Sequence, residues 1–138
     1  PQRAWANVNC RMFPGTTTAQ TAARLAQVIG DDKVAITPDE TALLTPPPPP
    51  LSDAVMGPLR KRGAQFWPGV PIVPFQTTGA TDGKYTNAAG IPTYGLTGIF
   101  ADSSGNGTHG LNERILVKSL YDARDFLYVL VKDYADQK

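Results

Sequence analysis

Residues 4–13 read AWANVNCRMF, and this stretch alternates between two kinds of side chain. The even-numbered side chains are small or apolar, whereas the odd-numbered ones include two asparagines and Arg11. Because successive side chains of a strand point to opposite faces, the alternation predicts a half-buried β-strand.

The residues that follow predict a helix and a second strand. Thr17 and Gln20 have the spacing of a capping box, apolar residues then recur every three or four positions, and Gly30 supplies a stop. The β-branched run 33–37 ends at Pro38 and predicts another short strand.

A run of five prolines, Pro46–Pro50, divides the chain. Such a run is stiff and extended because none of its residues can donate a backbone hydrogen bond. We interpret it as a linker between residues 1–45 and 51–138. The alternative is a ligand for a proline-binding domain, which would make the chain an adaptor.

Beyond the linker the pattern continues to mix helices and strands. Residues 52–62 predict a helix that Gly57 and Pro58 must bend, break or restart. Residues 70–76 and 91–96 are apolar, β-rich runs and predict short strands.

The end of the chain predicts a closing helix that packs on a sheet. Ser119 and Asp122 have capping-box spacing and would start this helix. One apolar stripe should face the sheet: Leu120, Ala123, Leu127, Leu130, Val131 and Tyr134. Strands that alternate with helices predict an α/β fold.

Charge, hydropathy and cysteine content indicate which partners and locations to expect. The 138 residues include 13 basic and 12 acidic side chains, a net charge of +1, without a block of like charges, so we expect no nucleic-acid partner. No apolar run approaches the about 20 residues that span a membrane, so we expect a soluble chain. The single cysteine, Cys10, leaves a cytoplasmic or an exported location open.

Three places carry candidate chemistry. His109, the one histidine, lies in the polar, glycine-rich loop 102–110, where an imidazole can face a cleft or simply face solvent; alone it cannot hold zinc. Residues 79–82 lead into a short predicted helix whose N-terminus suits a carboxylate or phosphate, or is an ordinary helix cap. Arg11 can grip a carboxylate or be a surface charge.

Four short motifs, taken in order, resemble the C-terminal part of the di-zinc metallopeptidases and amidohydrolases that include carboxypeptidase G, aminoacylase, the carnosinases and succinyl-diaminopimelate desuccinylase. The motifs are NVNCRMFPG at 7–15, GATDGKY at 79–85, GIPTYG at 90–95 and HGLNERI at 109–115. The resemblance implies that residues 1–45 are the last strand-helix-strand of a ferredoxin-like lid, which can form a homodimer. It implies that residues 51–138 are the C-terminal part of a zinc-peptidase catalytic domain, and that the chain is a fragment.

The resemblance also implies a metal site. His109 falls on the family's last zinc ligand, and Asn112 and Glu113 fall on residues that fix the loop and the imidazole. Each active site of the intact protein would hold two zinc ions, bridged by a carboxylate and a water that attacks an amide carbonyl. The other ligands would precede Pro1, so we expect the fragment alone to be inactive.

A substrate site is implied in the same way. Arg11, with Ala80 and Thr81, falls on the family's contacts to the substrate's free carboxylate. Such enzymes hydrolyse small peptides or N-acyl amino acids. The alternative function is a non-catalytic α/β binding module that kept the fold and lost the metal site.

Overall fold

A computed structural model of the chain describes residues 2–13, 15–39, 44 and 46–137. Its helices are α1 (Thr18–Ile29), α2 (Asp53–Phe66), α3 (Gly83–Ala88) and α4 (Val117–Ala135). The first compact unit comprises Pro1–Pro49 and Phe75–Tyr94, and the second comprises Pro50–Pro74 and Gly95–Lys138. Pro14 of the first motif and Thr45, the predicted end of the lid, lie outside the described residues.

The predicted α/β fold is wrong, because no described residue belongs to a β-strand. No ladder of backbone hydrogen bonds joins any two of the described segments predicted as strands: 4–13, 33–37, 70–76 and 91–96. Alternation predicts which side chains would share a face, but a strand also needs a neighbouring backbone to pair with. The predicted strand-helix-strand of the lid is therefore reduced to its helix, α1.

The helix α1 forms as predicted. The Gln20 amide donates to Thr17 Oγ1 at 3.2 Å, and the Thr17 amide donates to Gln20 Oε1 at 2.9 Å, which confirms the capping box. Gly30 ends the helix with a left-handed φ of 64°. No residue of α1 is buried, so the capping interactions at its two ends contribute a large part of its stability.

The helix α2 runs unbroken past Pro58. Pro58 has no backbone N–H, so the Ala54 carbonyl loses its usual partner within the helix. Two side chains lie in this region, Tyr134 from the end of α4 and Gln137 from just after it. Gln137 Nε2 donates to the Ala54 carbonyl at 2.9 Å, and the Tyr134 hydroxyl donates to the Val55 carbonyl at 2.6 Å. These bonds satisfy the carbonyls around the proline and join the two helices.

The core of the second unit lies where α2 packs on α4. Its buried apolar side chains are Met56, Ala123, Phe126 and Leu130. The Phe126 ring lies with its centroid 4.7 Å from that of Trp67 and 5.6 Å from that of Phe66. Trp67 in turn contacts Phe100, with centroids 5.0 Å apart, so ring contacts lead from the buried Phe126 to Phe100 at the surface.

The predicted start of the closing helix is wrong. The helix α4 begins at Val117 with Leu116 in the N-cap position, so Ser119 lies inside the first turn. Ser119 is buried, and its hydroxyl oxygen accepts from the Phe100 amide at 2.7 Å instead of capping a helix with Asp122.

The predicted packing of α4 on a sheet is also wrong, because α4 packs on α2. Ala123 and Leu130 are buried as expected, but Leu120 and Val131 are 47% and 62% exposed. The buried face is centred on Phe126, which the predicted stripe left out. Apolar side chains occur around much of this helix, so their spacing alone does not fix which face is covered.

Candidate functional site

Residues 102–115 form the loop that carries His109, here called the His109 loop. Asp102 Oδ1 accepts from the Ser104 amide at 2.8 Å and from the Ser104 hydroxyl at 2.7 Å. Arg114 donates from Nε to Asp102 Oδ2 at 3.2 Å and from Nη2 to the Ser104 hydroxyl at 2.5 Å. These three side chains, the Asp102–Ser104–Arg114 cluster, tie the two ends of the loop together.

Backbone bonds shape the rest of the His109 loop. The Arg114 amide donates to the Asn106 carbonyl at 2.9 Å, and the Gly110 amide donates to the Gly107 carbonyl at 2.8 Å. Gly107 has a φ of 64°, and a Cβ placed on it would lie 3.1 Å from the Asn112 carbonyl oxygen. Glycine at 107 is therefore required both by the backbone conformation and by the close approach of the opposite side of the loop.

His109 lies at the tip of this loop, exposed, with a left-handed φ of 64°. It is the one non-glycine residue with positive φ in the described part of the chain. Such a conformation is disfavoured for residues with a Cβ and persists where the surrounding structure imposes it. No described residue hydrogen-bonds to the imidazole, so both ring nitrogens can meet a ligand.

The electrostatics of the cluster favour a charged pair. Hydrogen bonds from Ser104, and then from Arg114, hold the pKa of the Asp102 carboxyl below its ordinary value. Asp102 is therefore ionised at neutral pH, as its salt bridge to Arg114 requires.

The residues that hold the His109 loop differ from those expected. Asn112 and Glu113 are exposed, and their described contacts to the loop are made by the backbone, including a Glu113 amide bond to the Gly110 carbonyl at 3.4 Å. Asp102 and Arg114 make the side-chain contacts and were missed. The signal that could have found them is an acid and an arginine that bracket a glycine-rich segment. The roles of Asn112 and Glu113 stay predictions.

The described residues do not make a zinc site by themselves. No three or more of their His, Cys, Asp or Glu side chains are grouped closely enough to hold a metal ion. Zinc in proteins takes three or four protein ligands, and His109 alone cannot supply them, so its role as a zinc ligand stays a prediction.

Arg11, Ala80 and Thr81 all lie in the first unit. Arg11 is exposed and makes no ion pair with any described residue. Gln76 Nε2 donates to the Met12 carbonyl at 2.8 Å, which ties the segment of Arg11 to the one that leads to Ala80 and Thr81. The three predicted substrate contacts are thus carried by segments that one hydrogen bond joins.

The short helix predicted after residue 82 is confirmed as α3. Its N-cap residue, Asp82, makes no side-chain cap bond, and Ala80 and Thr81 are exposed just before it. Near the C-terminal end of α3, Asn87 Oδ1 accepts from the Thr93 amide at 2.9 Å, and this bond connects the segment after α3 to the helix. Binding of a carboxylate by the residues before α3 stays a prediction.

The predicted site residues therefore fall into two groups. Arg11, Ala80 and Thr81 belong to the first unit, and His109, Asn112 and Glu113 belong to the second.

Among the described residues, no helix has both the length and the apolar character needed to cross a membrane.

Comparison with known proteins supports a relationship with peptidases. The chain is 26% identical over 134 residues to a protein of Dictyostelium discoideum named "Probable carboxypeptidase S-like 2". The match covers 96% of this chain and 26% of that protein, so the chain spans about a quarter of the length of this relative. No family model and no solved structure matches the chain.

Proposed function

We propose that this chain is the C-terminal part of a zinc-dependent metallopeptidase that hydrolyses amide bonds of small peptides or N-acyl amino acids. The main support is the similarity to a protein named as carboxypeptidase-like along 96% of the chain. The four ordered motifs agree with it, because they resemble di-zinc peptidases and amidohydrolases. A homodimer through residues 1–45 belongs to the same proposal.

In this proposal His109 is one zinc ligand. Its support is an exposed imidazole, without a described partner, at the tip of a loop whose ends are tied together. Because the described residues lack a group that could complete the coordination, the remaining ligands would come from another part of a longer polypeptide. This chain alone is then expected to be inactive.

Arg11 is proposed to bind the substrate's free carboxylate. Its guanidinium is exposed and has no carboxylate partner among the described residues, so its paired donors can accept a carboxylate from a ligand. Ala80 and Thr81 would add a backbone and a hydroxyl contact, since both are exposed in the turn before α3.

The test compares this chain with the longer polypeptide that the proposal implies. Zinc content and hydrolysis of a panel of dipeptides and N-acyl amino acids are measured in both, and in a His109→Asn variant of the longer form. Asparagine tolerates left-handed backbone, so this change removes the imidazole while it keeps the turn. We expect the longer form to bind zinc and turn over substrate, and the variant to lose both.

Leu111→Ala is the matched control, because Leu111 lies in the same loop and its side chain is fully exposed. The control should keep metal and activity. A longer polypeptide without metal and without turnover would contradict the proposal and leave a non-catalytic binding module as the better account.

A further inference from the structure

We infer that the Asp102–Ser104–Arg114 cluster is a positioning device that holds the tip of the His109 loop, and with it the imidazole, in one place. The use of that imidazole rests on the proposed function. The holding of the loop does not, because it follows from contacts within this chain.

The cluster is a closed ring of hydrogen bonds. Both oxygens of Asp102 are occupied, one by Ser104 and the other by Arg114. Arg114 also reaches the Ser104 hydroxyl with a second nitrogen. A planar guanidinium can make two such contacts in fixed directions, whereas a lysine ammonium is a single point of charge. The ring therefore depends on arginine and not merely on a positive charge.

The stems of the loop are fixed to the core of the second unit. Before the cluster, Phe100 contacts Trp67, which in turn contacts the buried Phe126. After it, Ser119 is buried in α4, and its hydroxyl accepts from the Phe100 amide at 2.7 Å. The cluster thus bridges two anchored stems, and the segment beyond it bears the left-handed His109.

A competing account is that Asp102 and Arg114 form an ordinary surface ion pair. Their side chains are 31% and 48% exposed, and isolated exposed pairs contribute little. One feature favours a larger effect here: the pair is part of a three-membered side-chain network with Ser104.

The test is nuclear magnetic resonance on this chain with Arg114→Ala. We expect the amides of Gly110 and residue 114 to exchange with solvent about threefold to tenfold faster, the loss expected for a hydrogen bond to a charged group at a partly exposed site. The backbone order parameter of His109 should fall from about 0.85 towards 0.6. Arg114→Lys should not restore either value.

The control is Arg124→Ala, which removes an exposed arginine that pairs with its neighbour Asp125 in α4. It should leave the His109 loop unchanged. Asp102→Asn provides a second route should Arg114→Ala disturb folding, which circular dichroism would reveal. If neither Arg114→Ala nor Asp102→Asn mobilises the tip relative to Arg124→Ala, the inference is overturned.

Activity of the longer polypeptide separates the two proposals. With the proposed function intact, Arg114→Ala should lower kcat/KM about tenfold to a hundredfold, as loss of a group that orients a ligand does. A longer polypeptide that hydrolyses nothing overturns the proposed function, while the resonance measurement still decides the cluster. Turnover together with an unchanged tip overturns the cluster and leaves the proposed function standing.

Discussion

The interactions that stabilise each unit internally differ between the two units of this chain. In the second unit, side chains between α2 and α4 are buried, and Phe126 is 1% exposed. In the first unit no described residue is buried, and Trp5 and Phe13 are 88% and 80% exposed. Helix caps and side-chain bonds to the backbone shape the first unit, whereas apolar burial shapes the second. Substitutions should therefore have larger and more cooperative effects in the second unit.

Phe126→Ala should have the largest effect. It removes a buried ring that contacts two other aromatic rings, and the expected loss is about 3–5 kcal/mol in the free energy of unfolding of the second unit. Urea unfolding monitored by tryptophan fluorescence measures this, since Trp67 lies in the same cluster. Tyr128→Ala, at a side chain 66% exposed on the same helix, should cost under about 0.5 kcal/mol. Equal losses of free energy of unfolding in the two variants would contradict the contrast between the buried and exposed faces of α4.

Gly98→Ala should have the next largest effect. Gly98 has a φ of 66°, and a Cβ there would lie 3.0 Å from both Phe126 Cδ1 and Trp67 Cη2. Strain and overpacking together should lower the free energy of unfolding by about 1–3 kcal/mol, measured by urea unfolding. Gly95→Ala is the control, because a Cβ at Gly95 meets nothing within 4 Å. A neutral Gly98→Ala would show that this core is loosely packed.

The pH dependence of the second unit should follow Asp133. Arg62 donates to both Asp133 oxygens at 2.6 Å and, mainly through these bonds, holds the pKa of Asp133 below the ordinary 3.8; Lys61 adds to the shift. The pair then stabilises the folded state above about pH 4, and this contribution is lost as the pH falls through the lowered pKa. Thermal midpoints between pH 7 and 2 should drop more steeply in the parent than in Asp133→Asn.

Asp125→Asn is the control for this measurement, because Asp125 pairs with Arg124 at an exposed position and its loss should leave the slope unchanged. A parent whose midpoint does not respond to acid would contradict the assignment of Asp133.

Local signals could be predicted from the sequence, and non-local pairing could not. The Thr17 and Gln20 box and the Gly30 stop lie within one short stretch, so α1 was found with its ends. Ser119 and Asp122 have the same spacing, yet the Ser119 hydroxyl bonds to Phe100, nineteen positions away in the chain. The alternation at 4–13 is likewise a local property. A strand also needs a second backbone segment to pair with, and that segment would be distant in the sequence.

The candidate site shows the same difference between local signals and non-local pairing. Glycines and polar residues identified the loop around His109, because composition is a local property. The cluster that ties the loop joins Asp102 to Arg114 across twelve positions, and several other acids and arginines were equally available in the sequence. Only the fold selects the pair. The motif resemblance implies roles for Asn112 and Glu113, whereas the nearby Arg114 makes the side-chain contacts.

Thr17→Ala should have the smallest effect, in the first unit. It removes the hydroxyl that accepts from the Gln20 amide, and N-cap losses of this kind cost about 1 kcal/mol. Because α1 buries no residue, the loss should appear as faster hydrogen exchange in its first turn and not as a shift in the urea midpoint of the second unit. Thr17→Ser keeps the hydroxyl and should retain the protection. If Thr17→Ala instead lowers that midpoint, the two units share stability, and the contrast between them concerns burial alone.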